Sequence, residues 1–143
     1  TSDITYFRLH GLGRELYYYQ YTDDELKQLH ELVSAFEPEG KQVYVLFNNL
    51  AMFDDGLRFK HYMEKHSFPS LTGAVGLDSV RKVIEKTRYP ITKKLLSKRL
   101  GWRLIELENG KQARLKELLR SVTPKSYTST KEILQEIKRT QKI

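Results

Sequence analysis

At 143 residues with 30% Asp, Glu, Lys and Arg and no cysteine, the chain can build one ordinary domain or two small ones. Either is large enough to bury a core of its own. The missing thiols exclude disulfides, thiolate catalysis and zinc–thiolate sites. Charge is divided along the chain: residues 1–67 hold 7 Lys/Arg against 11 Asp/Glu, a net of −4, and residues 68–143 hold 18 against 7, a net of +11. That asymmetry predicts two modules, the second facing a polyanion. The plainer alternative is a solvated lysine-rich surface of the kind thermophilic proteins carry. No apolar run approaches the roughly 18 residues of a membrane helix and no signal pattern opens the chain, so a cytoplasmic protein is expected.

In chain order, Ile4 to Leu9 reads as a strand rich in β-branched and aromatic residues, closed by Arg8, His10 and Gly11. Tyr17, Tyr18, Tyr19 and Tyr21 follow as an aromatic cluster that either stacks on bases or sugars or packs over the strand ends; packing is the commoner use. Thr22 is a natural N-cap, and Glu25 three residues on completes a capping box. Leu26, Leu29, Leu32, Val33 and Phe36 then recur at helical spacing as one apolar stripe, which Pro38 and Gly40 end. Val43 to Phe47 is a continuous apolar run, the pattern of a strand buried on both faces, and it closes on Asn48 and Asn49. A second helix is expected from about Asp54 to His66, capped by its own aspartates. The stretch SFPSLTGAVG (residues 67–76) reads as a linker.

In a β-α-β unit, ligand-facing groups collect at the carboxyl ends of parallel strands, where Arg8, His10, Asn48 and Asn49 fall. These four are the candidate catalytic residues. His10 is suited to acid–base work or to an anion, and the asparagines to hydrogen-bonding a substrate or its phosphate. Arg8 and His10, two apart on one strand, are expected to point to the same side. Each has a structural alternative: a histidine satisfied by the neighbouring strand, and asparagines closing a loop. His61 and His66 are five apart and miss a helical metal-binding face; no metal site, P-loop or Ser-His-Asp pattern is present, and nothing names a cofactor.

The succession RLHG, tyrosine-rich stretch, YTDDEL and VYVLFNN resembles the carboxyl-terminal end of the YecE-like family (domain of unknown function 72), over about residues 3–65. The resemblance implies an α/β fold, a (β/α)₈ barrel of which residues 1–66 are the last two β/α units. It carries no catalytic role, because the family's chemistry is not established. Met52, Phe53, Asp54, Asp55 and Gly56 depart from the small residues and asparagine the family places there. A barrel end would leave a strand edge open, so either a missing barrel segment or self-association is expected as partner. The start at Thr1, without an initiator methionine, suits a piece of a longer chain.

The basic stretch, residues 78–143, predicts a small α+β or winged-helix-like module with one β-hairpin. Asp78 caps a helix to about Lys86, and Tyr89-Pro90 separates it from a second helix near Thr92 to Leu100 that stops at Gly101. Trp102 to Leu107 alternates as a strand, and Asn109-Gly110 reads as a two-residue hairpin turn. A short helix from Lys116 to Val122 ends before Pro124. Ser129 with Glu132 makes another capping box, ahead of a last helix buried through Ile133, Leu134 and Ile137. In the winged-helix reading the second helix enters a major groove and the hairpin is the wing. Lys93, Lys94, Lys98, Arg99, Lys111 and Arg114 would then meet nucleic acid. The stretch LLRSVTPKSYTSTKEILQEI (residues 118–137) also resembles a small family of unknown function, which implies nothing about activity.

An enzyme reading stands beside the binding one. In it a hydrolase- or isomerase-type barrel uses Arg8, His10, Asn48 and Asn49 on a phosphorylated or nucleic-acid substrate, and the basic module is only structural.

Overall fold

The computed structural model describes residues 3–141, and the chain divides between Pro69 and Ser70 into two compact units. In the first, strand β1 (Ile4–Leu9) and strand β2 (Gln42–Phe47) pair in parallel, in register from Ile4 opposite Gln42 to Leu9 opposite Phe47. Helix α1 (Asp23–Ser34) connects them and helix α2 (Met52–Lys65) follows. Thr22 caps α1 as the sequence predicts: its hydroxyl accepts from the Glu25 N–H, and the Glu25 carboxylate accepts from the Thr22 N–H.

The strands alternate. Phe7, Leu9, Val43, Val45 and Phe47 pack against Tyr21, Leu26, Leu29, Val33 and Phe59. Ile4, Tyr6, Arg8, Tyr44 and Leu46 fall on the other face and are exposed. The expectation of a doubly buried β2 is therefore corrected: both helices cover the same side of the sheet. Leu32 also leaves the predicted stripe and is exposed. At about 100° per residue it sits some 240° around α1 from Leu26, whereas Val33 returns to Leu26's side. Helix α2 begins two residues before the expected Asp54, with Ala51 at its N-cap and no side-chain cap.

The second unit runs through α3 (Gly76–Ile84), β3 (Ile91–Thr92), α4 (Lys93–Leu100), β4 (Leu104–Glu106), β5 (Gln112–Arg114), α5 (Leu115–Leu119), β6 (Ser126–Tyr127) and α6 (Thr130–Thr140). Strands β4 and β5 form an antiparallel hairpin, and β3 pairs antiparallel with β6. All four helices contribute to one core with β3, β4 and β6, including Val80 and Ile84 of α3, Leu96 of α4, Leu115, Leu118 and Leu119 of α5, and Ile133 and Ile137 of α6, beside Ile91, Ile105 and Tyr127. Thr92 caps α4 through the Leu95 N–H.

Three local expectations are corrected. Helix α3 starts at Gly76 with Val75 at its N-cap, and Asp78 instead pairs with Arg81. Ser129 caps α6, but the Glu132 carboxylate reaches Thr128 and Lys125 in place of the Ser129 N–H, so no reciprocal box forms. The hairpin turn is one residue longer than predicted. Leu107 and Lys111 bond across Glu108, Asn109 and Gly110, and only Gly110 has positive φ, at 80°. A two-residue turn of the predicted kind would need positive φ at Asn109 as well.

Candidate functional site

At the carboxyl ends of β1 and β2, Asn48 continues the ladder by donating its N–H to the Leu9 carbonyl (2.8 Å). Its side-chain amide lies 3.1 Å from His10 Nδ1. With the amide nitrogen as donor, Nδ1 accepts and carries no proton in this arrangement. The imidazole also meets the Tyr17 ring edge-on, 5.7 Å between centroids. Two of the four predicted site residues are thus in direct contact. Arg8 stands two residues earlier, opposite Leu46 on the open face of the sheet.

Asn49 turns the other way. It is buried, and its amide donates to the Tyr19 carbonyl and to Asp55 Oδ2, both at 2.7 Å. Asp55 also accepts from the Tyr21 N–H (3.1 Å) and from Arg58 (3.1 Å), while Arg58 donates to the Tyr21 carbonyl (2.7 Å) and pairs with Asp23. Burial pushes the Asp55 carboxyl up to about 6, against the lowering pull of the Tyr21 N–H, Asn49 and Arg58. This network ties the loop after β1 to helix α2, which is the loop-closing alternative for Asn49. Asp55 and Arg58, three apart on a helix, carried a readable signal, a charge pair at i, i+3 on the face that turns inward.

The tyrosines divide between packing and exposure. Tyr21 is buried and its hydroxyl accepts from the Gly11 N–H (2.9 Å); Tyr19 donates to Glu25 (2.6 Å). Gly11 is required here, since its φ is +108° and a Cβ would stand 2.6 Å from the Tyr19 Cβ. Tyr17 and Tyr18 are exposed. Among the described residues no cluster of three or more His, Asp or Glu is placed to hold a metal ion, and no helix is long and apolar enough to cross a membrane.

In the second unit, Lys94, Lys98, Arg99 and Lys111 are exposed. Lys93 and Arg114 are engaged internally: Lys93 Nζ donates to the carbonyls of Arg120 (3.0 Å) and Val122 (2.8 Å), and Arg114 donates to the Trp102 carbonyl (2.8 Å). Lys93 therefore secures the chain leaving α5. A lysine at the first position of a helix is indistinguishable in sequence from a phosphate contact. A feature that sequence reasoning missed is a cleft of about 490 Å³ formed by the end of α3, the following loop and the end of α4. Lys82, Lys86, Arg88, Arg99 and Arg103 line it, with Glu85. Its cations come from three separate segments, so no local run announced it.

Residues 1–69 match the family described as protein of unknown function DUF72. The first unit is similar to DUF72. Residues 74–141 match a second family of unknown function, DUF5789. No curated protein and no solved structure matches the chain. The DUF72-like unit thus supplies the His10–Asn48 pair, and the DUF5789-like unit the basic cleft.

Proposed function

We propose that the DUF5789-like unit binds a polyanion, nucleic acid first among them. The observation that carries this reading is the exposed basic run Lys94, Lys98 and Arg99 on α4, continuous with a cleft walled by Lys82, Lys86, Arg88 and Arg103. Phosphate neutralisation by such side chains releases counterions and makes binding steeply salt-dependent. In a winged-helix-like use of the module, α4 meets a groove and Lys111 at the hairpin tip meets the backbone. The test is fluorescence anisotropy of labelled single-stranded RNA and duplex DNA with the full chain at low and moderate salt. Binding should weaken by about tenfold or more on removing three phosphate contacts in Lys94→Ala/Lys98→Ala/Arg99→Ala. No binding at low salt overturns the proposal.

For the DUF72-like unit, the reading favoured by its bare sheet face is the end of a (β/α)₈ barrel, completed by further parallel strands or by another copy of the chain. Ile4, Tyr6, Tyr44 and Leu46 are 41%, 62%, 43% and 44% exposed on one side of a two-stranded parallel sheet. Sheets of that kind are ordinarily covered on both faces. The His10–Asn48 contact supports a second reading, an enzyme site assembled at those strand ends with Arg8. In that reading His10→Ala abolishes turnover of a phosphorylated substrate by the completed protein and leaves the fold intact; unchanged turnover rejects it.

A further inference from the structure

The cleft of the DUF5789-like unit combines two chemistries. Its floor is apolar: Ile91 belongs to the buried core, and Val83 and Leu100 pack against that core. Its walls carry five cations against the carboxylate of Glu85. Helix-end electrostatics account for part of this, since Lys82 and Arg99 lie in the last turns of α3 and α4, where cations complement the helix dipole. The same effect does not explain Lys86, Arg88 or Arg103, which lie outside both helices and still converge on the same space.

A strand tracked along its backbone meets an extended groove with repeated charges. A concave space of about 490 Å³ instead falls within the range of small-ligand sites, about 300–1,000 Å³. Guanidinium forks pair bidentately with phosphate oxygens, and their planes stack on bases. An apolar floor beneath such a rim suits a ligand with one flat face and a clustered negative end.

We propose that this cleft binds a phosphorylated nucleoside, with its phosphates on Arg88, Arg99 and Arg103 and its sugar and base against Val83, Ile91 and Leu100. The proposal rests on the polyanion reading of the same unit and narrows it to a ligand class. The group comes from one of two sources of the same chemistry, a free nucleotide or the 5′-phosphorylated end of a strand.

The experiment is calorimetric titration of the full chain with ATP, and separately with a single-stranded RNA ten-mer carrying a 5′ phosphate or a 5′ hydroxyl. A free-nucleotide site binds ATP, and Arg88→Ala weakens that binding by about tenfold or more, as expected for a lost charge-assisted contact. A strand-end site binds the 5′-phosphorylated ten-mer more tightly than its hydroxyl counterpart, by a similar factor, and Arg88→Ala removes the difference. Lys131→Ala removes one positive charge from an exposed position on α6 and should change neither result. Arg88→Lys keeps the charge without the fork and should fall between the wild type and Arg88→Ala, with circular dichroism verifying that each variant is folded. The proposal is overturned if ATP does not bind and the 5′ phosphate makes no difference, or if Arg88→Ala loses no more than Lys131→Ala. Strand binding that persists under either outcome leaves the broader polyanion reading standing; loss of all binding removes both.

Discussion

The two units are nearly equal in length and opposite in how they treat their own surfaces. Among the described residues, thirteen side chains form the buried core of the DUF5789-like unit, against five in the DUF72-like unit. The difference follows from layering. In the second unit, α3, α4, α5, α6 and two short antiparallel pairs enclose one space from several sides. In the first, both helices cover the same face of a two-stranded sheet and leave the stacked pair Tyr6–Tyr44, 5.2 Å between ring centroids, on the other. A β-α-β-α segment cannot cover both faces of its sheet with two helices on one side. The first unit adds a buried polar network to a smaller apolar cluster, and the second relies on apolar volume.

That contrast can be broken at its polar end first. Asp55→Ala leaves Arg58 buried with Asp23 as its remaining carboxylate, and strips the acceptor from the Tyr21 N–H and the Asn49 amide. A loss of about 3–5 kcal/mol is expected by chemical denaturation, the usual cost of breaking a buried charged pair. In the second unit the comparable damage is apolar. Leu115→Ala opens a cavity at a fully buried position and should cost about 2–5 kcal/mol, whereas Leu46→Ala on the bare face should cost well under about 1 kcal/mol. A large loss at Leu46 would show that this face is covered in solution.

The units should also respond to pH in opposite directions. Asp55 is held at about 6 in the fold against an ordinary 3.8, so the folded state binds the proton more tightly than the unfolded chain. Its contribution is therefore complete below about pH 4 and is lost as pH rises through 6. At about 1.4 kcal/mol per tenfold change in affinity the loss reaches about 3 kcal/mol. Asp55→Asn should flatten that slope. Glu136 behaves in reverse: hydrogen bonds from Arg139 and Thr123 hold it at about 2, below an ordinary 4.5. Its contribution is present above pH 4.5 and disappears as pH falls through 2. Thermal melts between pH 2 and 7, following a probe in each unit, check both signs. The smallest expected effect is Thr22→Ala, about 1 kcal/mol for a lost cap.

The features legible in the sequence were those set by neighbouring residues. Thr22 with Glu25 and the stop at Gly101 depend only on residues within one helical turn. Strands β3 and β6 were invisible because each has two residues and exists only through its partner across the chain. Exposure of Tyr44 and Leu46 was hidden because a run of five apolar residues looks the same whether one face is covered or two. At the candidate sites, the contact between His10 and Asn48 follows from their places at matching strand ends. Asn49 follows the loop-closing alternative, since adjacent residues leave a strand end in opposite directions. The cleft around Arg88 was unreadable because Lys82, Arg99 and Arg103 converge on it only after folding.

On the proposed reading one unit binds nucleic acid and the other takes cover on its open sheet face. Amide hydrogen exchange of the full chain, with and without a saturating 5′-phosphorylated RNA ten-mer, tests that division directly. The account predicts new protection concentrated between Lys82 and Arg103, with none added to β1 or β2. Protection that instead appears along Ile4–Leu9 and Gln42–Phe47, with α4 unchanged, would contradict it and place the nucleic-acid site on the open sheet.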